Sequence, residues 1–312
     1  MDCMFSGEAA DSKEHIIPGW MQRRFGLANQ THVLPNGTKI RYALATIPVA
    51  TAHNAKFGEV ETRIAEGRAS DLDVYLWAFK IHIGLIYRNS NLKVDIKSPL
   101  SPKFWSLNSF SDEIWLFQQL YKVWAAGGSI EPNPFGSVIR VKAFDDTAPF
   151  DFIHNMQAEI IMFQLGGELI FVSLYDKGRL ANSNIQQMLD YHRDRIANLP
   201  AEERSEAAFI GHRVWACETS YALYRTAFSG LNFIQSPTTF IALPSCAPTM
   251  RPANEAEYAR FCQSFGLELV DFGGEVSHTY KPLEMENPKF QRVASRPTAA
   301  NTESEEGHGD PS

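Results

Sequence analysis

Cysteine is scarce in this chain, and its few cysteines do not form a disulfide framework. Four occur among 312 residues, and they are scattered at Cys3, Cys217, Cys246 and Cys262. Small secreted domains instead carry closely spaced, even sets of cysteines. The scarcity therefore excludes a disulfide-stapled secreted domain and favours a reducing cytoplasm.

Long apolar runs are also missing. The most apolar stretch, Val74 to Tyr87, is interrupted by Lys80 and His82, so no run reaches the eighteen or more residues of a membrane helix. The N-terminus carries acids at Asp2 and Glu8, whereas a signal peptide begins with a basic and then an apolar region. We therefore expect a cytoplasmic protein with no membrane partner.

Positive charge is not in excess either. The formal net charge is -7, and the sequence pI is about 5.7. These values argue against a protein that coats nucleic acid through a broad basic surface. They do not exclude a nuclease, because a bound metal ion can supply the local positive charge. Residues 1–68 are nearly neutral, with eight Lys or Arg against seven Asp or Glu, so the acidity lies in the rest of the chain.

Short elements are predicted for residues 1–68. A helix is expected over Ile16 to Leu27, and Asn36-Gly37 predicts a hairpin between strands at His32 to Leu34 and Lys39 to Ile47. Apolar residues at spacings of three and four predict an amphipathic helix from Asn54, its expected N-cap, to Gly67. The expected order is therefore helix, hairpin, helix.

Longer and more apolar elements are predicted for residues 69–286, so we expect an α+β domain here. A helix over Leu72 to Tyr87 is apolar on all sides and should lie at the centre of the core. Residues 287–312 are rich in Pro, Ser, Glu and Gly, which predicts a disordered acidic tail. The other predicted helices are Asp112 to Ala126, Ile185 to Asn198, Ala201 to Phe228 and Glu255 to Phe265. The predicted strands are Val138 to Phe144, Glu159 to Gln164, Leu169 to Leu174 and Thr239 to Leu243.

The residues with the clearest chemistry lie near the start of the chain. Glu14 and His15 are followed by Ile-Ile-Pro and then Trp20. An imidazole is a suitable general base near neutral pH, and a carboxylate can hold Mg²⁺ or another hard ion. Asn54 offers an amide oxygen as a second ligand. Hydrolysis of a phosphodiester needs such a base and such an ion.

This pattern resembles the HNH (ββα-metal) endonuclease family. The members that it resembles combine a Cys-x-x-Cys-Gly opening, a Glu-His-Ile/Val-x-Pro motif followed by Trp, and a later Cys-x-x-Cys-Asn. The resemblance covers about residues 1–66. It implies that His15 is the general base, that Glu14 and Asn54 hold a divalent ion, and that residues 1–68 form a ββα-metal module packed on the larger domain.

The zinc-binding positions of that family are degenerate here. Cys3 is kept, but Ser6 stands in the place of its partner, and Ala50 and His53 stand in the second pair. Structural zinc needs four tetrahedral ligands, which serine and alanine do not supply. We therefore expect no structural zinc, and we expect packing against the downstream core to hold the module instead.

Several residues have simpler explanations than catalysis. Lys56, Glu59 and Glu61 lie on an amphipathic helix and are assigned to its solvated face. His82 lies on the apolar helix and is assigned to the core as a hydrogen-bonded histidine. A Glu-His-x-x-Pro string alone also occurs by chance at helix entries.

The leading hypothesis is a metal-dependent DNA endonuclease or nickase of HNH type. The alternative is a catalytically inactive HNH-derived module that binds nucleic acid or protein, with residues 69–286 contacting a protein partner. A third hypothesis is an unrelated enzyme whose site lies in the larger domain, in a pocket far from His15.

Overall fold

The computed structural model of the chain is a mixed α+β structure. It describes residues 2–34, 36–145, 149–156, 158–182, 185–227, 231–244, 249–272 and 278–282. The predicted tail, 287–312, lies outside these ranges. The described helices are α1 (Gly19–Arg24), α2 (Thr51–Ala65), α3 (Asp71–Asn89), α4 (Ser111–Ala125), α5 (Ile185–Ala197), α6 (Ala201–Tyr224) and α7 (Glu255–Ser264). The described strands are β1 (Ser12–His15), β2 (Thr31–Val33), β3 (Lys39–Arg41), β4 (Thr46–Val49), β5 (Ser129–Glu131), β6 (Ser137–Lys142), β7 (Phe150–Asn155), β8 (Ile160–Leu165), β9 (Glu168–Ser173), β10 (Thr226–Ala227), β11 (Leu231–Ser236), β12 (Thr239–Pro244), β13 (Thr249–Met250), β14 (Leu267–Phe272) and β15 (His278–Pro282).

Helix α3 is the centre of the main core, as the apolar pattern predicts. It begins with a capping box in which Ser70 Oγ accepts from the Asp73 amide and Asp73 Oδ2 accepts from the Ser70 amide. From Asp73 to Ile86 every residue is buried, because the helix contacts α2, α4, β4 and β6. Within the described ranges, no helix combines the length and the apolarity that a membrane span requires.

The largest sheet of the described residues is antiparallel, with strand order β6-β9-β8-β7. Its strands are apolar on both faces because each face covers a separate core. On β8, Ile161 and Phe163 join the core around α3, where Phe163 lies 4.5 Å from Trp77 between ring centroids. Ile160 and Met162 alternate with them and join a second core beneath α6 and α7.

The first 68 residues differ from the predicted order of elements. A strand, β1, precedes the first helix, and it pairs antiparallel with β4. Helix α1 begins at Gly19 rather than Ile16, because the Ile16 amide still bonds across to the Ala45 carbonyl, 2.9 Å away. The strand predicted from Lys39 to Ile47 is broken by a 3-10 turn at Tyr42–Leu44. The resulting order of β1, its partner β4 and then α2 is a ββα arrangement with an insertion.

That insertion contains the predicted hairpin, which is confirmed. Strands β2 and β3 pair with Thr31 opposite Arg41 and Val33 opposite Lys39. Gly37 has φ +78°, a conformation that favours glycine. The Asn36 side chain donates to the Lys93 carbonyl at 3.1 Å, so the hairpin also contacts the segment that follows α3.

One hydrophobic core includes residues from both sides of position 68. Phe5 lies against Phe57 on α2 and against Phe117 and Tyr121 on α4, with ring centroids 5.0 to 5.8 Å apart. A Cβ added to Gly84 would lie 3.1 Å from Ile16, so α3 closely approaches the residue that follows β1. This packing agrees with the expectation that the downstream core supports residues 1–68.

Two histidines form a hydrogen-bonded pair in the core between α3 and β7. His82 Nδ1 lies 3.0 Å from His154 Nε2, as expected for a core histidine. Burial lowers the pKa of His82 to about 3. Burial also places the pKa of His154 well below its ordinary value, and the nearby His82 and His32 lower it further. Both rings are therefore neutral in the folded protein at neutral pH.

This pair should make the fold sensitive to mild acid. Above about pH 6.5 both rings are neutral in the folded and unfolded chains, so they add no pH dependence. Below that value the unfolded chain takes up protons that the folded chain does not, so stability falls with falling pH, down to the folded pKa. Each such histidine removes at most about 1.4 kcal/mol per pH unit.

Denaturant unfolding between pH 6.5 and 5 measures the slope of the unfolding free energy against pH. This window lies above the ordinary titration range of carboxylates. Changing His82→Leu together with His154→Leu should flatten the slope. An unchanged slope in the double variant would contradict the assignment.

Candidate functional site

The site predicted from the sequence lies where β1, β4 and α2 meet. Glu14 faces Ile47 across the strand pair, and His15, the last residue of β1, faces Thr46. Asn54 lies in the first turn of α2. The three residues therefore lie in one small region, although their side chains have different surroundings.

The Glu14 carboxylate shares a buried ammonium with a second acid. Lys80 of α3 donates from Nζ to Glu14 Oε1 at 2.9 Å, to Glu61 Oε1 at 2.9 Å and to the His15 carbonyl at 2.7 Å. An ammonium has three N–H donors, so all three are used. The Lys80 side chain is 0% exposed, and those of Glu14 and Glu61 are 15% and 13% exposed.

The charges of this cluster depend on one another. Burial alone disfavours the Lys80 ammonium, but the carboxylates of Glu61 and Glu14 outweigh burial and raise the pKa of Lys80. Burial raises the pKa of Glu61, which Lys80 offsets only in part, while Glu14 adds to the increase. Two carboxylates and one ammonium give the cluster a formal net charge of minus one.

Each carboxylate keeps one oxygen available. Lys80 bonds to the Oε1 atom of each acid. Glu14 Oε2 and Glu61 Oε2 accept no hydrogen bond from any residue in the described ranges. A divalent ion such as Mg²⁺ is commonly held by one or two carboxylates together with water and substrate oxygens. These two oxygens suit such an ion, with Lys80 holding the carboxylates from the buried side.

His15 is directed away from this pair. Neighbouring residues of a strand point to opposite faces, so the imidazole of His15 leaves β1 on the face opposite Glu14. Its Nδ1 is buried and has no hydrogen-bond partner. Consistent with this arrangement, the described residues contain no group of three or more His, Cys, Asp or Glu side chains placed to hold one metal ion.

Asn54 is not brought into contact with either residue. Within the described part of the chain, no hydrogen bond joins its side chain to Glu14 or His15. It lies seven residues before Glu61 on the same side of α2, which is about 10 Å along the helix axis. The structure thus brings Glu61, rather than Asn54, to Glu14, and the assignment of Asn54 as a metal ligand stays a prediction.

The expected N-cap role of Asn54 is wrong. Helix α2 begins at Thr51, and its N-cap is Ala50, which has no side-chain acceptor. Asp11 replaces that acceptor from outside the helix: its Oδ1 accepts from the Thr51 amide at 2.7 Å and from Thr51 Oγ1 at 3.1 Å. These hydrogen bonds, first the one from the Thr51 amide, lower the pKa of Asp11.

The residues at the positions that the resemblance assigns to zinc ligands make contacts within the protein. Cys3 Sγ accepts from the Ala50 amide at 3.2 Å. His53 Nδ1 lies 3.0 Å from the Tyr121 hydroxyl and His53 Nε2 lies 3.4 Å from Glu8. Ser6 Oγ accepts from the Glu8 amide at 3.3 Å. One thiol and one imidazole, both already bonded, do not suit a tetrahedral zinc ion.

Two residues of the cluster, Glu61 and Lys80, were missed by the sequence reasoning. Glu61 was assigned to a solvated helix face, yet its side chain is mostly buried beside Lys80. Lys80 gave a usable signal, because a charge inside a helix that is apolar on all sides must find buried partners. The sequence could not show which acids those partners are, because Glu14 lies 66 positions away.

Comparison with known proteins adds no assignment: the chain matches no family model, no curated protein and no solved structure.

Removing the shared ammonium should destabilise the fold. Changing Lys80→Met leaves two carboxylates buried without a cation, and breaking a buried ion pair from one side costs about 3–5 kcal/mol. Urea unfolding at pH 7 measures the loss. Adding Glu14→Gln and Glu61→Gln to the variant should recover part of it, because neutral amides need no counterion.

Lys56→Met is the matched control. Lys56 forms an exposed pair with Glu59 on α2, and its loss should change stability by less than about 0.5 kcal/mol. Equal effects of the two lysine variants would show that the buried cluster does not stabilise the fold.

Proposed function

We propose that residues 1–68 form a metal-dependent nuclease module of HNH type that hydrolyses phosphodiester bonds in DNA. The observation that carries the proposal is the ββα order of β1, β4 and α2, which places Glu14 beside Glu61 with one free carboxylate oxygen on each. Glu14 and His15, the first two residues of the Glu-His-Ile-Ile-Pro motif, are the last two residues of β1.

The proposed ion site consists of Glu14 Oε2 and Glu61 Oε2, with Lys80 as a positioning residue. When bound there, a divalent ion would offset the charge that grows on the scissile phosphate and its leaving oxygen. Lys80 holds the two carboxylates side by side and reduces their mutual repulsion. Its buried position keeps the ammonium away from the solvent side, where substrate would approach.

In this proposal His15 removes the proton from the attacking water. Because Nδ1 is buried, Nε2 is the ring nitrogen that a water molecule can reach. The imidazole and the acid pair lie on opposite faces of β1. The scissile phosphodiester must therefore lie across the end of that strand to contact both the imidazole and the carboxylates. His15 is the last residue of β1, and beyond it the Ile16 amide bonds to the Ala45 carbonyl at 2.9 Å.

A second candidate is a catalytically inactive HNH-derived module. The ion pairing of Glu14 with Lys80, and the divergence of His15 from Glu14, favour it. An exposed apolar surface on the larger domain supports its protein-binding form: Trp115 and Phe233 are each 41% exposed and lie 6.1 Å apart between ring centroids. Ile234 and Leu243 are also exposed, on the opposite face of the β11–β12 pair from Phe233.

A plasmid-nicking assay in Mg²⁺, Mn²⁺ or Ni²⁺ separates the two candidates. The nuclease proposal predicts nicking that EDTA abolishes and that His15→Ala lowers by about 10²- to 10⁴-fold, the usual contribution of a general base. Glu14→Gln and Glu61→Gln should each lower activity and weaken its dependence on metal concentration.

The control variants are Glu59→Gln and Asn54→Ala. Glu59 lies on α2 in an exposed pair with Lys56, so its change should leave activity within about two-fold. Loss of activity in Asn54→Ala but not in Glu61→Gln would show that Asn54, and not Glu61, is the second metal ligand beside Glu14. Absence of any metal-dependent nicking by the folded wild type would favour the inactive module.

A further inference from the structure

A cavity opens at the C-terminal end of α3, about two helical turns beyond Lys80. Its volume is about 470 Å³, and its lining includes Tyr87, Asn91, Lys103, Trp105 and Ser106. This volume lies within the range of small-molecule sites, about 300–1,000 Å³. The cavity therefore has the size of a ligand site distinct from the Glu14 and Glu61 pair.

The lining combines aromatic rings with hydrogen-bond donors and a cation, and it contains no carboxylate. The Lys103 ammonium has no hydrogen-bond or ion-pair partner in the described part of the chain. Ser106 Oγ accepts from the Asn108 amide at 3.2 Å, so its own hydrogen can still be donated. This chemistry suits a planar aromatic group that carries a negative charge.

The end of α3 does not oppose an anion as strongly as a bare helix terminus would. A helix C-terminus carries partial negative charge on its last carbonyls. Here the Tyr87 carbonyl accepts hydrogen bonds from the Ser90 hydroxyl at 2.8 Å and from the Asn91 side-chain amide at 3.0 Å. Both donors come from the cavity wall and partly neutralise that carbonyl.

The segment around the cavity is basic, although the chain as a whole is acidic. Residues 87–107 contain four basic side chains and a single acid, Asp95, in a protein with a net charge of -7. The basic side chains are Arg88, Lys93, Lys97 and Lys103. A local positive field attracts phosphate oxygens, so charge and cavity chemistry point to the same class of ligand.

We propose that this cavity binds a nucleotide, with the base against Tyr87 or Trp105 and the phosphate at Lys103. Aromatic side chains stack on any base, and a nearby lysine holds the backbone phosphate. The nucleotide can come from two sources, a free 5′-monophosphate or one unit of a single strand, and both present the same base and phosphate.

Calorimetric titration in EDTA tests the proposal without any contribution from a metal ion, so its outcome is independent of nicking. Adenosine 5′-monophosphate or a twelve-nucleotide single strand should bind, and adenosine and inorganic phosphate should each bind at least about ten-fold more weakly. Binding of the monophosphate identifies a free nucleotide, and binding of the strand alone identifies nucleic acid.

Variants of the lining give the sharper test. At least one of Trp105→Ala and Tyr87→Ala should weaken binding by about 5- to 150-fold, the range for loss of one stacked base. Lys103→Gln should weaken it and reduce its salt dependence. Ser106→Asp keeps an N-cap acceptor for the Asn108 amide but adds a negative charge to the wall, so it should weaken binding at least about ten-fold with the fold intact.

Lys97→Gln is the matched control, because it removes one charge from the same segment outside the cavity lining, and it should change affinity less than about two-fold. Equal losses in the Lys97 and Lys103 variants would overturn the proposal in favour of general charge attraction. Binding to vesicles containing phosphatidylserine with no nucleotide binding would also overturn it, since Val94, Ile96 and Leu100 of this segment are exposed.

Discussion

The need to neutralise one buried ammonium organises the N-terminal part of this protein. Lys80 lies inside a helix that is buried on every side, and an isolated charge there would be strongly unfavourable. Its three donors are satisfied by a side chain and a carbonyl of β1 and by a side chain of α2. The ion cluster therefore holds three elements in one relative position, and it decides where Glu14 can point.

Aromatic packing and hydrogen bonds hold the first residues of the chain against the later helices. Cys3 accepts from the start of α2, and His53 pairs with Tyr121 of α4. Phe5, between Cys3 and Ser6, packs on rings from α2 and α4. The Cys3 contact joins the first residues to the start of α2, and the His53 and Phe5 contacts join these two segments to α4.

Local patterns predicted much of the fold, and non-local pairing limited the rest. The apolar period of α3 and the Asn36-Gly37 turn depend on neighbouring residues, so both predictions are confirmed. The pairing of β1 with β4 joins segments more than thirty residues apart, and four-residue strands carry too short a pattern to reveal it. The burial of Glu61 could not be predicted for the same reason, because it depends on Lys80 and not on the pattern of its own helix.

The position of Lys80 also bears on how residues 1–68 relate to the rest of the chain. The motif residues lie before position 68, but the ammonium that holds Glu14 and Glu61 together comes from α3, after it. Without α3 the two acids would face each other with no cation between them, and their repulsion would raise at least one pKa and favour a protonated, neutral carboxyl. A protonated carboxyl is a poor ligand for a hard divalent ion. Through Lys80, α3 is therefore part of this cluster, and not only its support.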